Sequence, residues 1–411
     1  MAKPLPHIVN VLCVEKVRWK RAWIRKHDPP QALCSDASQL TQARIWDINQ
    51  KRWIRPPACD VLNVGFSCKS FSLLNNKNRD GVHDAAIAEG RGCSGETARY
   101  ALAYIRKVRP PVVLIENVPQ LAKGYYQQES RKEVDERSNL FVLTSQLAEM
   151  GYVCPVAMLD PRPTVEASRR RCWLPCFQAH CADVRASGDA LRRYAERLLQ
   201  EVPARARVVL AFGDMQLPQG PQGPGLTRLP GAGASTPSPA GKKKKKAWLQ
   251  LHERVYKESS ICWPPRISSS LATVAHEFAV TAREQEILHL LEITCPMDSI
   301  CCADAVVDLN LSIGRMTQHK LAMPIIVPKS RLWWRRAMRW VSADELMSAQ
   351  GYGPTVASHE FSHKQVCDIM GNSVHAVPLM ICLATVLATL GTGLGEAVQG
   401  GQEIEKASES D

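Results

Sequence analysis

The 411-residue sequence holds no apolar run long enough to cross a bilayer. Its longest, Val377 to Leu390, falls short of the about 20 residues that a spanning helix needs, and is expected to form a buried helix instead. The opening stretch MAKPLPHIVNVLC has neither the charged region, nor the long apolar run, nor the small-residue cleavage site of a secretory signal. Without such a signal the fifteen cysteines imply a reducing compartment, and thiols rather than a disulfide framework are expected. No internal repeat is found. Two groups of metal-type side chains, Cys172, Cys176, His180 and Cys181, and then Cys295, Cys301 and Cys302, lack the spacing of a known zinc module, so no metal site is expected.

What the sequence has in quantity is apolar content and positive charge. At 45% hydrophobic residues it can bury a substantial core, and its length allows two or three domains. A net charge of +12 favours a polyanionic partner, because each neutralised phosphate releases condensed counterions. Charge alone suits a merely soluble basic protein equally well. Residues 215–246 turn to Pro, Gly, Ser and Thr and end in Lys242 to Lys246, a composition too poor in apolar residues to fold alone. The lysines suit a phosphate grip, a nuclear localisation signal or a solvated charge run.

Short apolar runs at His7 to Val14, Val61 to Phe66 and Val112 to Ile115 predict strands, and Glu96 to Val108 has helical periodicity. This alternation predicts an α/β fold with a parallel sheet, whose ligands sit at the carboxyl ends of its strands. Four segments carry chemistry. In Val64-Gly65-Phe66-Ser67-Cys68-Lys69-Ser70 a strand runs into a loop where a thiol can be exposed and activated, although most cysteines are buried and inert. In Pro110-Pro111-Val112-Val113-Leu114-Ile115-Glu116-Asn117-Val118-Pro119 a buried strand ends in an acid, where a carboxyl can be tuned to donate a proton, and an amide. In Ser168-Arg169-Arg170-Arg171-Cys172-Trp173, Arg169 and Arg171 would share one strand face and could together grip an anion. Gly371-Asn372-Ser373-Val374, before an apolar run, predicts a tight turn and a helix start.

Taken in order, these four segments resemble the motif series of the cytosine-5 DNA methyltransferases. Val341-Ser342-Ala343-Asp344-Glu345-Leu346 with Gln350-Gly351-Tyr352 is similar to the helix before that family's final motif, and Trp333-Trp334-Arg335-Arg336 with Arg339 to its lead-in. The resemblance spans residues 1–175 and 305–390. It implies a Rossmann-like S-adenosylmethionine-dependent methyltransferase sheet with helices on both faces, plus a smaller irregular target-recognition region. Residues 1–175 would form the catalytic core, 176–335 the target-recognition region with its linker at 215–246, and 336–411 the returning part of the core.

The roles carried over are these. Cys68 stands at the nucleophile that adds to C6 of a cytosine flipped out of double-stranded DNA, Glu116 at the acid that meets N3, and Asn117 at the residue that holds the loop. Arg169 and Arg171 stand at the pair that orients base and loop. For S-adenosyl-L-methionine, Glu15 matches the acid on the ribose hydroxyls and Asp36 the acid on the adenine amino group. Asn372 and Ser373 match the motif near the methionine end. A DNA substrate in turn implies a nuclear location.

Departures from the family pattern are as informative. The nucleophile loop reads Ser67-Cys68-Lys69 where Pro-Cys-Gln is usual, and Ala167 replaces the glutamine before Arg-x-Arg. The strand, Phe-x-Gly-x-Gly-Gly loop and helix that open the family are absent from this sequence, as though truncated at its start. That removes a central strand and a close backbone approach to the cofactor, and counts against activity. Leu390-Gly391-Thr392-Gly393-Leu394-Gly395 offers a glycine-rich segment in permuted order, but the run before it fits the terminal helix better. An inactive DNA-binding or regulatory paralogue, or a tRNA methyltransferase of the same family, stays open. The sequence context of the target and the maintenance or de novo mode are not legible.

Overall fold

A computed structural model describes residues 9–72, 85–126, 133–161, 169–178, 252–260, 280–294, 306–311, 323–335, 337–352 and 361–390, with isolated positions at 193, 196, 197 and 250. The 215–246 stretch, the glycine-rich 391–395 segment, Ala167, His180, Cys181, Cys295, Cys301, Cys302 and Arg336 lie outside them. The chain divides into two units: residues 1–160, 170–207 and 376–411 in one, 161–169 and 208–375 in the other. Residues 336–375, expected with the catalytic core, group with the second unit.

In chain order the first unit contains β1 (Leu12–Val14), α1 (Arg18–His27), β2 (Ala32–Cys34), β3 (Ile45–Asp47), β4 (Arg52–Ile54), β5 (Val61–Val64), α2 (Ala86–Glu89) and α3 (Gly92–Val108). These are followed by β6 (Val112–Asn117), β7 (Gly124–Tyr126), β8 (Glu133–Ser138), α4 (Asn139–Glu149), β9 (Tyr152–Val153), β10 (Ala157–Leu159), β11 (Arg171–Gln178) and a terminal helix, Ala376–Leu390. Its core strand is β6, where Val112, Val113, Leu114 and Ile115 are all buried between Pro110-Pro111 and Pro119. Four buried residues in succession are what a strand covered on both faces requires. β5 lies parallel to it, Val61 opposite Val112 and Val64 opposite Ile115. β11 runs antiparallel on its other side, with β10 and β9 pairing on β11.

Helices seal this five-stranded sheet. Ala98, Leu102 and Ile105 of α3 and Leu143 and Leu147 of α4 form one cluster with Val113, Ile115, Leu174 and Cys176. The alternate residues Val112, Leu114, Trp173 and Phe177 are buried too and point the other way, where the terminal helix packs on β6 and β11. Each fully buried Val, Leu, Ile or Phe contributes about 1.5–3 kcal/mol, and cutting Leu174 back to Ala would cost roughly 2–5 kcal/mol. Gly95 makes a close helix contact possible: a Cβ there would stand 2.0 Å from the Ala86 carbonyl oxygen of α2.

β1 and β2 pair in parallel but form a sheet of their own among the described residues, as do the β3–β4 and β7–β8 hairpins. Element ends differ from the expected ones in places. β1 is Leu12–Val14, with His7 and Ile8 of the expected strand outside the described residues, and β5 stops at Val64, short of Phe66. β6 runs on through Glu116 and Asn117, because these pair with Trp173 and Cys172 of β11. α3 begins at Gly92, four residues before Glu96.

In the second unit β12 (Val306–Asp308), β13 (Leu332–Trp334) and β14 (Arg339–Trp340) form an antiparallel sheet. Trp333 packs there with Ile287, Leu288 and Leu291 of helix Ala282–Thr294. Helices Ala343–Ser348 and His363–Asn372 each open with a capping box, Ser342 with Glu345 and Ser362 with Gln365. Glu345 also takes two hydrogen bonds from the Arg339 guanidinium. By length and composition the run His363–Leu390 is apolar enough to cross a membrane. Extended backbone at Ser373 (φ −74°, ψ 155°) divides it, and the 15-residue terminal helix buries Ile381, Cys382 and Val386.

Candidate active site at the strand ends

The carboxyl ends of β5 and β6 and the amino end of β11 come together through the sheet register, and four of the expected residues meet there. Cys68 lies on the loop after β5 and is half-buried. Glu116 and Asn117 close β6. Arg171 opens β11. The Asn117 side-chain amide donates to the Phe66 carbonyl at 3.2 Å, and its oxygen accepts the Val118 N–H at 2.9 Å. Asn117 thereby ties the Cys68 loop to the neighbouring strand, and at 2% exposure the tie is shielded from water.

Arg171 Nε stands 3.0 Å from Glu116 Oε1, both side chains being largely buried. The contact is an ion pair out of line for a hydrogen bond, and Oε1 is a buried oxygen with no well-aligned donor. A carboxylate placed this way is held by charge and keeps acceptor capacity for a further donor.

Two residues that sequence reasoning missed complete the loop's support. Ser67 N–H donates to Thr97 Oγ1 at 3.1 Å, and Ser70 N–H to Ser94 Oγ at 2.9 Å. Both acceptors stand in the first turns of α3, three residues apart on one side of the helix. Their only sequence signal is that spacing, which has no meaning until the topology brings α3 beside the loop. Within the loop, Phe71 and Ser72 N–H groups donate to the Cys68 carbonyl. The thiols of β11 differ from Cys68 in kind. Cys172 and Cys176 are fully buried; burial first, then the Glu116 charge, pushes the Cys172 thiol up to about 12, which makes it inert at neutral pH.

Arg169 departs from its expected place. β11 begins at Arg171, so Arg169 precedes the strand and shares no strand face with it. It belongs to the second unit, 4% exposed, and donates to the carbonyls of Ile326 (3.0 Å), Gly371 (3.3 Å) and Ser373 (2.6 Å). Gly371-Asn372-Ser373 closes helix His363–Asn372, and the expected helix start follows at Ala376. Glycine is required at 371 for space, since a Cβ would stand 2.3 Å from the backbone at Val327 and Pro328. The Asn372 amide donates to Asp368, and Ser373 Oγ to the Met370 carbonyl.

Glu15 and Asp36 follow β1 and β2, which are adjacent and parallel, Val14 facing Cys34. Glu15 Oε1 accepts the Val17 N–H at 2.7 Å. Asp36 Oδ1 accepts the Ser38 N–H at 2.9 Å, and hydrogen bonding from Ser38 holds the Asp36 carboxyl below its usual range.

The sheet is of the Rossmann-like α/β kind and gathers a half-buried thiol, a carboxylate and a guanidinium at its strand ends. No protein-family model matches the chain. A stretch of 109 residues, 26% of the chain, is 31% identical to the "DNA (cytosine-5-)-methyltransferase DMT5" of Cryptococcus neoformans var. grubii. The chain spans only 4% of that protein's length. Solved structures similar to it include the S. pombe Dnmt2 methyltransferase (12% identity, TM-score 0.40, covering 92% of this chain and 89% of that one). The Entamoeba histolytica methyltransferase EhMeth is another (10% identity, TM-score 0.38, covering 92% and 88%). The DMT5 match covers about a quarter of the chain and carries its likeness to the cytosine-5 methyltransferases, a family whose members use S-adenosylmethionine.

The residues in hand fit one end of that cofactor. Two carboxylates at adjacent strand ends suit the hydroxyls and amino group of an adenosine. The glycine-rich loop that the family places at the methionine end is not among these 411 residues.

Proposed function

We propose that this chain acts on DNA as a cytosine-5 methyltransferase, with Cys68 as nucleophile. The observation that carries this reading is the Arg171–Glu116 ion pair beside the Cys68 loop, with Asn117 binding the two strand ends into one site. C5 of cytosine is a poor nucleophile. Attack of Cys68 Sγ on C6 places the displaced electron pair on the ring, where N3 protonation or hydrogen bonding by Glu116 stabilises it and C5 becomes enamine-like. Arg171 fixes the carboxyl of Glu116, and Asn117, Ser94 and Thr97 fix the loop, so the geometry is set before substrate arrives. S-adenosylmethionine, when bound, supplies the methyl group, with Glu15 on its ribose and Asp36 on its adenine amino group. Loss of the C5 proton then expels Cys68 and restores both ring and thiol.

The target base is stacked inside a duplex, so it must swing out at a cost of a few kcal/mol. Residues 176–335 are the region we assign to recognising its surroundings, and a DNA substrate places the protein in the nucleus. The test is methyl transfer to duplex DNA and, in parallel, to folded tRNA, with wild type and Cys68→Ser, alongside S-adenosylmethionine binding by calorimetry. Transfer to DNA that falls by roughly three orders of magnitude or more in Cys68→Ser is expected, the scale of removing a nucleophile. Transfer confined to tRNA, or cofactor binding absent with no transfer to either, contradicts the proposal.

A further inference from the structure

We infer that α1 and the β3–β4 hairpin form a second surface for duplex DNA, one that grips phosphates apart from the reacting residues. The inference extends the reading of this chain as a DNA enzyme. Residues 16–55 carry ten Lys or Arg against three Asp, so this tenth of the chain holds more than half of its net charge of +12. Of the three carboxylates one is buried, and the two exposed ones, Asp28 and Asp36, each hold a local hydrogen bond. Asp47 is fully buried and takes the Leu33 and Asn49 N–H groups, Asp36 caps the turn at Ser38, and Asp28 takes the Asn10 amide.

From Lys16 to His27 there is no acidic residue at all, and α1 buries no side chain. Its outward stripe is Arg18, Ala22, Arg25 and Lys26, while Trp19, Trp23 and Ile24 are half-covered on the other side. The hairpin adjoins this stripe. Arg25 Nε donates to Asn49 Oδ1 at 2.9 Å, and the Asn49 amide donates to the Pro30 carbonyl at 3.2 Å. This fastens the hairpin tip, with exposed Lys51 and Arg52, to the helix. Trp53 follows, 52% exposed and edge-on to Trp46 at 5.6 Å between ring centroids.

Charge of one sign on two elements locked in fixed relation suits a polyanion whose charges are regularly spaced, as they are along a duplex. A membrane fits less well. An interfacial helix needs a free apolar face to insert, whereas here Trp19, Trp23 and Ile24 are each half-covered by the protein.

The test is equilibrium binding of a fluorescent DNA duplex to the full chain over a series of salt concentrations. The variant Arg18→Gln/Lys26→Gln/Arg52→Gln is compared with Arg91→Gln/Arg99→Gln/Arg106→Gln, which removes the same charge from α3 and the segment before it. Each phosphate contact contributes about 0.9 to the slope of log affinity against log salt, so the first variant should lower the slope by up to about 3 and weaken binding at least tenfold near 0.1 M salt. The second should leave the slope unchanged, both retaining the wild-type circular dichroism. Equal losses in the two variants, an unchanged slope in the first, or preferential capture of folded RNA or of phosphatidylserine vesicles through the same residues would overturn the inference. Failure of methyl transfer with this binding intact would refute the enzymatic reading alone. Transfer at saturating DNA with the slope unchanged would refute the surface alone.

Discussion

The two halves of the candidate site are built to different standards. Where Cys68, Glu116, Asn117 and Arg171 meet, the strands belong to a five-stranded sheet, β6 is buried on both faces, and side chains bond from strand to loop to helix. Where Glu15 and Asp36 stand, two three-residue strands pair in parallel and, among the described residues, with no further strand, and every residue of β1 is half-exposed. A two-stranded sheet is marginal on its own in water. The part assigned to the base is therefore preorganised by the fold, while the part assigned to the cofactor leans on neighbouring packing, chiefly Leu12 and Val14 against Cys34, Ile45 and Tyr104.

The contrast can be broken in order of expected effect. Glu116→Gln keeps the shape of the strand end but removes the proton donor and the partner of Arg171, so the rate of cytosine chemistry should fall about 10²–10⁴-fold with DNA affinity little changed. Single-turnover kinetics at saturating duplex read this, and a loss confined to affinity would give Glu116 a binding role only. Hydrogen exchange measures the contrast directly: amides of β6 and β11 should be protected roughly a hundredfold or more beyond those of β1 and β2. Equal protection would mean that the pair is as firmly held as the main sheet.

A smaller effect is expected of Asn117→Ala, which leaves the buried Phe66 carbonyl without its amide donor. Denaturant unfolding should show a loss of about 1–3 kcal/mol. The rate of cytosine chemistry should drop further than that instability explains, because the Cys68 loop is released. The smallest effect concerns Asp36. Its carboxyl is held below the ordinary value of 3.8 by Ser38, so the folded state binds its proton less readily than the unfolded chain. Its contribution is complete above that ordinary value and is lost as pH falls through the depressed one. Asp36→Asn should flatten the local response below about pH 4, seen as the pH dependence of the Ser38 amide shift. An identical profile in both proteins would remove Asp36 from its capping role.

Much of this was legible in the sequence for stated physical reasons. The consecutive apolar residues Val112 to Ile115 between prolines predict a buried strand, and the polar Glu116-Asn117 ending predicts where chemistry could sit. The order of the motifs points to the family. What was not legible depends on distance in space. Arg169 and Arg171 alternate as strand residues should, but the strand starts between them, because Arg169 is occupied by three carbonyls from 157 to 204 residues away. Gly371 looks like a turn glycine and is instead a spacer against Val327 and Pro328. Ser94 and Thr97 carry no signal until α3 packs beside the loop. Nor does any local pattern show that β1 and β2 pair apart from the main sheet among the described residues.

Cys68 is proposed to add to cytosine within a site assembled independently of the cofactor residues. Thiolate addition at C6 makes C5 basic, so C5 hydrogen should exchange with solvent with no methyl donor present. Duplex DNA tritiated at cytosine C5 reports this as release of label into water. Release by the wild-type chain and only background release by Cys68→Ser at equal DNA occupancy are expected. Release that is absent from the wild type, or undiminished in Cys68→Ser, would contradict it.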